Sequence, residues 1–454
     1  MKKFTRISCI ILGVLMLLSA VGCGQTDTSN AGSTQPSDSA AAPGSTSPAG
    51  GQTINLTVSS MWAPGSDEIA NIFYAALDKY QKDNPNIKFD TQAVGHDDYQ
   101  VKISTMIASG KVPDIYQYKG GMIYDIVKNN LAQPLNDMLD SDKTWNDRFY
   151  PGIFGDFTYQ SKIYGIPFQA QSCEVVYYNK DLVGQVGVTA FPKTWDEFKD
   201  LINKLKAKGI TPIAIGNKDG WPLESDVFSG IVDKITGDEW FTSLKDKTGS
   251  KFTDPQFVEG LKKTKELFDM GAFNSDAHTL DYAMGTQLYM DKKAAIIMDG
   301  GWSVMTLMSK APQDVQDATQ FAPVPVIPGG KGAADAQVCG AGWAFGINTN
   351  LDAEKSKAAL GFLKEFTSPE NAGNFYKVGY VPAAEPDTLD VSKLNPLMQR
   401  YLDTFSKLNT WTACYSVNLP GNVAQLLYQG LPDVMLGNIT PEEYAQSLQD
   451  EYDR

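Results

Sequence analysis

The sequence predicts an α/β protein built from two successive α/β regions. The stretch from Ile54 to Tyr116 reads as strand, helix, strand, helix, strand, the alternation of a parallel sheet layered with helices. A second run of the same kind opens at Thr194. The chain has 454 residues, 42% of them hydrophobic and 11% aromatic, which is ordinary globular usage over a length that suggests about three domains.

Ile54, Leu56 and Val58 alternate as in a half-buried strand. Ile69, Ile72, Phe73, Ala76, Leu77 and Tyr80 fall on one helical face, and Ser66 is placed to cap that helix. After the turn-forming Asn84-Pro85-Asn86 comes a strand around Ile87 and Phe89, then a helix from Asp97 to Ser109, then a strand at Asp114-Ile115-Tyr116. Farther on, Thr194 and Glu197 make a capping box for the helix of Phe198, Leu201, Ile202 and Leu205, which Gly209 stops. Ile213–Ile215, Ala294–Met298 and Trp343–Ile347 read as strands, with a short helix after Trp302 and an amphipathic one over Asp352–Phe366. Thr440 at the N-cap, Pro441 at N1 and Glu443 at N3 open the last helix. There is no internal repeat and no heptad run.

The first 22 residues stand apart. Lys2, Lys3 and Arg6 precede an apolar run from about Cys9 to Leu18 and the small residues Ser19, Ala20 and Gly22, the three parts of an export signal. Ala20-Val21-Gly22-Cys23 resembles a bacterial lipobox, with Ala20 where Leu is usual, so Cys23 is the expected lipidation site. Two acyl chains on that cysteine would hold the protein on a membrane stably. Residues 24–52 are mostly Ser, Thr, Ala, Gly and Pro, with three Gln, one Asn, two Asp and no aromatic side chain, a flexible tether of about 30 Å r.m.s. reach. The remaining cysteines, Cys173, Cys339 and Cys414, allow one bridge at most, and spacing does not choose a pair.

Charge and histidine content exclude whole classes of function. With 39 basic and 53 acidic residues the formal net charge is -14, and removing the signal would make it more negative still. Such a surface repels phosphate backbones, so no nucleic acid partner is expected. His96 and His278 are the only histidines, far apart and in no metal-ligand spacing. Neither a metal centre nor a Ser-His-Asp relay is expected, and no cofactor is indicated.

Several runs, in order, resemble one family. They are Ala108-Ser109-Gly110-Lys111-Val112-Pro113-Asp114, Lys162-Ile163-Tyr164-Gly165-Ile166-Pro167-Phe168, Tyr177-Tyr178-Asn179-Lys180-Asp181-Leu182 and Pro192-Lys193-Thr194-Trp195-Asp196-Glu197-Phe198. Ala294 through Trp302, Gly342 through Ile347 and Thr367-Ser368-Pro369-Glu370 complete the set. Together they resemble the extracellular solute-binding proteins of family 1, the sugar-binding receptors of ABC importers. The resemblance implies a two-lobed periplasmic-binding-protein-like fold of type II, with the ligand in a cleft between lobes joined by hinge segments, and closure about that hinge. The expected division is a signal at residues 1–22, lipidated Cys23 and tether over 23–52, a first part of lobe 1 over 53–165, mainly lobe 2 over 166–300, and crossing segments that complete both lobes over 301–454. The implied partners are a carbohydrate ligand, the transmembrane subunits of an ABC permease and a membrane reached through the lipid anchor. A monomer on the outer face of a bacterial cell membrane is expected.

A sugar offers flat C–H faces and a rim of hydroxyls, so its receptor needs aromatic plates and fixed donors and acceptors. The chain has 8 Trp and 20 Tyr. Ligands of open α/β sheets sit outside the carboxyl ends of strands, which singles out aromatics just after strands. Trp302 follows the 294–298 strand and matches an aromatic position that commonly stacks on ligand in the resembled family; the alternative is a core side chain at a helix start. Asp299 beside it would accept from two sugar hydroxyls, or cap the helix. Trp62 follows the first strand, Trp221 sits in the polar loop Asn217–Pro222, Trp343 adjoins Gly340-Ala341-Gly342, and Trp411 could line the second lobe. Polar candidates are Gln117 and Tyr118 at the end of the third strand and Gln169 after Pro167-Phe168, with Glu174, His96, Asp97 and Asn418 behind them.

No catalytic residue is assigned. Two rivals share these features: a cell-surface glycoside hydrolase using paired carboxylates, and a binding protein for a polyamine or peptide, which would surround its ligand with carboxylates.

Overall fold

Leu56 and Val58 are buried while Asn55 is exposed, so the period-two pattern sorts the faces of the first strand, Ile54–Ser60, as expected. The computed structural model that shows this describes residues 52–172, 175–408, 410–412 and 414–454, apart from the side chains at 97, 171, 172, 410 and 411. Cys23, Cys173 and Glu174 lie outside the described residues. Cys339 and Cys414 are buried.

Ile54–Ser60 pairs in parallel with Ile87–Ala93, Ile54 opposite Ile87, and with Ile115–Lys119. Two distant segments complete this five-stranded sheet: Trp343–Ile347 runs antiparallel to Ile115–Lys119, with Phe345 opposite Gln117, and Ile166–Pro167 lies beyond it. The helix Glu68–Asp83 buries Ile69, Ile72, Phe73, Ala76 and Leu77 against the sheet region. Its cap is Asp67 rather than the expected Ser66. Asp67 has the extended backbone of an N-cap, and its carboxylate accepts from Ala70 N at 2.7 Å. This sheet and its helices form lobe 1.

A four-stranded sheet forms lobe 2, in the order Thr319–Ala322, Val175–Asn179, Ala294–Asp299, Thr211–Ala214. Every residue of Ala294–Asp299 is buried, as befits a strand covered by helices on both faces. The capping boxes at Thr194/Glu197 and Thr440/Glu443 are both formed. One apolar core collects Val176, Ile202, Ile296, Leu427 and Tyr444, and another Leu56, Phe73, Ile115, Phe345 and Phe362.

A third sheet, ordered Thr410–Thr412, Ala336–Gly340, Gln171–Ser172, joins the lobes. Two of its strands are places where the chain passes from one large sheet to the other. Ile166–Pro167 leads through Gln171–Ser172 to Val175–Asn179, and Thr319–Ala322 leads through Ala336–Gly340 to Trp343–Ile347. Thr410–Thr412 leads to the helices Tyr415–Asn418, Gly421–Leu436 and Pro441–Tyr452, whose Tyr415, Leu427 and Tyr444 belong to the lobe 2 core.

Below the strand ends the lobes touch closely. Gly120 and Gly121 follow Ile115–Lys119 and abut the backbone of the Tyr415–Asn418 turn. A Cβ on Gly120 would stand 2.6 Å from Val417 O, and one on Gly121 would strike Leu419 O. Only a residue without a side chain fits such an approach.

Candidate functional site

A cavity of about 400 Å³ opens between the lobes. Its wall is built from residues that follow strands: Met61 and Trp62 after Ile54–Ser60, His96 after Ile87–Ala93, Lys119 at the end of Ile115–Lys119, and Trp302 after Ala294–Asp299. These are the carboxyl ends at which open α/β sheets collect ligands.

Aromatic rings run across the cleft from lobe to lobe. Trp343 of lobe 1 lies 5.6 Å from His96, and His96 lies 6.0 Å from Trp221 of lobe 2. Trp221 in turn lies 6.1 Å from Trp302 and 4.9 Å from Tyr282. Interplanar angles of 46° to 68° leave the rings tilted toward one another instead of stacked, so ring faces remain turned toward the space between them. Trp302 is half-buried. Its indole Nε1 donates to Tyr282 Oη at 2.9 Å, which fixes the ring.

Asp299 lies beneath this wall and is not part of it. Tyr282 Oη contacts both of its carboxylate oxygens, at 3.1 and 2.9 Å, Ser303 Oγ donates at 2.6 Å, and Gly300 N donates at 2.8 Å. Burial pushes the carboxyl up to about 6, against the hydrogen bonds from Ser303, Tyr282 and Gly300 that favour its ionised form. The expected acceptor of sugar hydroxyls is therefore occupied by protein donors and supports Trp302 from below.

Trp62 also departs from expectation. It borders the cavity but is 5% exposed, its ring enclosed by Phe168 at 4.9 Å, Phe73 at 5.3 Å, Phe366 at 5.9 Å and Phe345 at 6.1 Å. Most of its surface belongs to the lobe 1 core. Gln117 and Tyr118 are fully buried and border no part of the cavity. Gln117 Oε1 accepts from Met61 N at 2.7 Å, and Tyr118 packs edge-on against Phe157 at 5.4 Å.

Gln169 and Asn418 do line the cavity. Gln169 Nε2 donates to Ala341 O at 2.8 Å, and Asn418 Nδ2 donates to Cys414 O at 3.1 Å. The backbone of Trp411 pairs with Gln337, and Asp97 falls within the helix His96–Ala108. The side chains of Asp97 and Trp411, like the whole of Glu174, lie outside the described residues.

Several residues in and beside the cavity wall escaped the sequence reading. Asp156 accepts from Ala341 N at 3.1 Å and Gly342 N at 3.0 Å, so it holds the turn that carries Trp343. Burial raises its carboxyl, while the Gly342, Asn418 and Ala341 contacts pull the other way. Lys119 reaches across to lobe 2, donating to Tyr428 Oη at 2.5 Å and Ser416 Oγ at 3.4 Å. Burial alone would lower its ammonium, but Tyr428, Cys414 and Glu224 around it outweigh that and raise it, so it stays charged. Glu224 sits in the π-helical segment Leu223–Phe228, fully buried, with Oε1 accepting from Ser416 N and Ser229 Oγ at 3.1 Å each. Burial pushes its carboxyl up to about 8. Tyr282 could have been suspected from its place just after the cap Asp281, but Asp156 and Lys119 carry no local signal.

Two α/β lobes, three connecting strands and an aromatic cleft at the strand ends define a two-lobed solute-binding fold. The chain belongs to the bacterial extracellular solute-binding protein family, which it matches over residues 64–373. It is 25% identical over 315 residues to an uncharacterized ABC transporter extracellular-binding protein of Pyrococcus horikoshii, a match that covers 67% of this chain and 65% of that protein. The chain thus spans less than two thirds of that relative's length. Among solved structures, a chitin oligosaccharide binding protein superposes with a TM-score of 0.80 at 27% identity, covering 89% of this chain and 99% of that one. A structure from work on xylan utilization by the thermophilic bacterium Caldanaerobius polysaccharolyticus gives 0.78 at 27% identity, covering 88% and 100%. Among the described residues no helix is long and apolar enough to cross a membrane.

Proposed function

We propose that this protein is the substrate-binding receptor of an ABC importer, that its ligand is a carbohydrate, and that the ligand is an oligosaccharide held between the lobes. The observation that carries this reading is the meeting of tilted indole rings with two buried polar atoms that have no partner among the described residues, Trp221 Nε1 and Gln169 Oε1. A buried donor and a buried acceptor left unmatched in a cavity wall call for a ligand that supplies both. A sugar hydroxyl does so, and its ring C–H face suits the indoles. The names of the similar structures, chitin oligosaccharide binding and xylan utilization, support the same class.

The rival ligands fit less well. A polyamine needs free carboxylates, yet the two that border the cavity among the described residues have structural tasks: Asp67 caps a helix and Asp156 holds the Ala341-Gly342 turn. Those same tasks count against a hydrolase with paired acid groups. The receptor captures and hands over its ligand without changing it. Closure about the three connecting strands would trap the sugar, and the permease's transmembrane subunits would receive it. Cys23 would carry the lipid anchor, leaving a monomeric receptor tethered at the outer face of the membrane.

A thermal-shift screen against mono- and oligosaccharides, followed by calorimetry on the hits, tests this directly. A sugar ligand raises the melting temperature by mass action. A rise with spermidine or a peptide and none with any sugar would overturn the ligand class, and release of smaller sugars during incubation would overturn the receptor reading.

A further inference from the structure

On the far side of the Lys119–Tyr428 contact lies a second cavity of about 550 Å³. Gln100 and Lys119 belong to the walls of both, so the two spaces adjoin and Lys119 with its Tyr428 partner stands between them. The helix His96–Ala108 and the end of Ile123–Lys128 form the lobe 1 side of this groove, and the helix Gly421–Leu436 forms the lobe 2 side.

Its chemistry differs from that of the cleft. Tyr428 is its one aromatic residue, Val101, Ile107, Ala108, Met122 and Ala424 add apolar surface, and Gln100, Asn129 and Gln425 supply amides and Ser104 a hydroxyl, while Asn422 Nδ2 is held by Glu451 Oε1 at 2.6 Å. An amide presents donors and an acceptor together, the match for a hydroxyl that both gives and receives a hydrogen bond. An anion finds little here. The Lys119 ammonium is already bound to Tyr428 and Ser416, and Asp125 adds a negative charge to the wall. An uncharged, hydroxyl-rich occupant fits.

We propose that this groove continues the ligand cleft past Lys119 and holds the distal units of a longer oligosaccharide between the His96–Ala108 and Gly421–Leu436 helices. The proposal rests on the carbohydrate reading of the cleft. It divides the work: aromatic faces in the cleft grip the proximal units, and amides in the groove add affinity for length without stacking.

The test is calorimetry with chito-, xylo- and malto-oligosaccharide series, from disaccharide to hexasaccharide. The wild-type protein is compared with Ser104→Trp, which fills the groove from an exposed helix position, and with Gln425→Ala. In the wild type, affinity should keep rising beyond the shortest ligand that binds, by about tenfold in total, or about 1.4 kcal/mol. Ser104→Trp should bind long members no more tightly than short ones while leaving the short members' affinity unchanged, which also shows that it is folded. Gln425→Ala should lose part of the same gain. A length series that is flat in the wild type, or one that Ser104→Trp leaves intact, overturns the groove but spares the sugar reading. Absence of binding by every member of every series overturns both.

Discussion

Trp302 hangs from Tyr282. The indole Nε1 donates to Tyr282 Oη at 2.9 Å, and the same Oη lies 2.8 Å from Ser303 Oγ and within 3.1 Å of both oxygens of buried Asp299. This half-buried ring of the cleft is thus held by a polar chain anchored at the end of the lobe 2 strand Ala294–Asp299.

Replacing Tyr282 with Phe keeps the ring and removes that anchor. Trp302 should lose its fixed orientation, and ligand affinity should fall about five- to tenfold, in line with one hydrogen bond of roughly 1 kcal/mol. Calorimetry with the best sugar from the screen measures it. An unchanged affinity would mean that packing alone orients Trp302.

Two tryptophans that look alike in sequence should behave in opposite ways. Trp302→Ala should weaken sugar binding more than about tenfold, or about 1.4 kcal/mol, with little change in unfolding midpoint. Trp62→Ala, which empties a site among Phe73, Phe168, Phe345 and Phe366, should cost about 3–5 kcal/mol of stability. Denaturant titration and calorimetry on both variants separate the roles, and equal losses of stability would refute the distinction.

Glu224 should make stability depend on pH. Its folded carboxyl is pushed from an ordinary 4.5 up to about 8, so between those values the folded state holds the proton that the unfolded chain has released. Stability associated with Glu224 is full below that window and declines as pH rises through it. Glu224→Gln keeps an acceptor for Ser416 N but cannot ionise. Urea midpoints of the wild type should therefore fall relative to the variant from about pH 4.5 to about pH 8 and run parallel above it. Curves that are parallel throughout would show that Glu224 keeps an ordinary pKa.

Gly120→Ala should push the strand end away from the Tyr415–Asn418 turn, because the new Cβ would meet Val417 O at 2.6 Å. Overpacking of this kind costs about 1–3 kcal/mol. Lys119 and Asn418, on either side of the contact, both border the cleft, so affinity should fall together with melting temperature. A stable variant with unaltered binding would show that the lobes do not need this approach.

Cys23→Ser should free the protein from membranes. Fractionation of expressing cells measures the outcome, and continued tight membrane association would rule out the lipobox.

How much was legible in advance depended on the range of the forces involved. The capping boxes at Thr194 and Thr440 are formed within four residues, and the apolar periods of Ile69–Leu77 and Ala294–Met298 lie within one element. Even there, the choice of Asp67 over Ser66 as cap turned on one residue's backbone conformation. A preceding strand end marked Trp62 as it marked Trp302, although the packing around Trp62 comes from residues as distant as Phe345 and Phe366.

By itself the sequence determined the α/β class, the order of the elements and the family resemblance, because periodicity, caps and ordered motifs are local properties of the chain. Tertiary structure enclosed Trp62 in the lobe 1 core while leaving Trp302 half-buried at the cleft, and it turned Asp299 from a proposed ligand contact into the anchor beneath Trp302. It also brought Lys119 to Tyr428 across 309 positions and Asp156 to Gly342 across 186. The first contact depends on how two separately built lobes meet and the second on a late strand returning to the first lobe, and no pattern of neighbouring residues encodes either meeting.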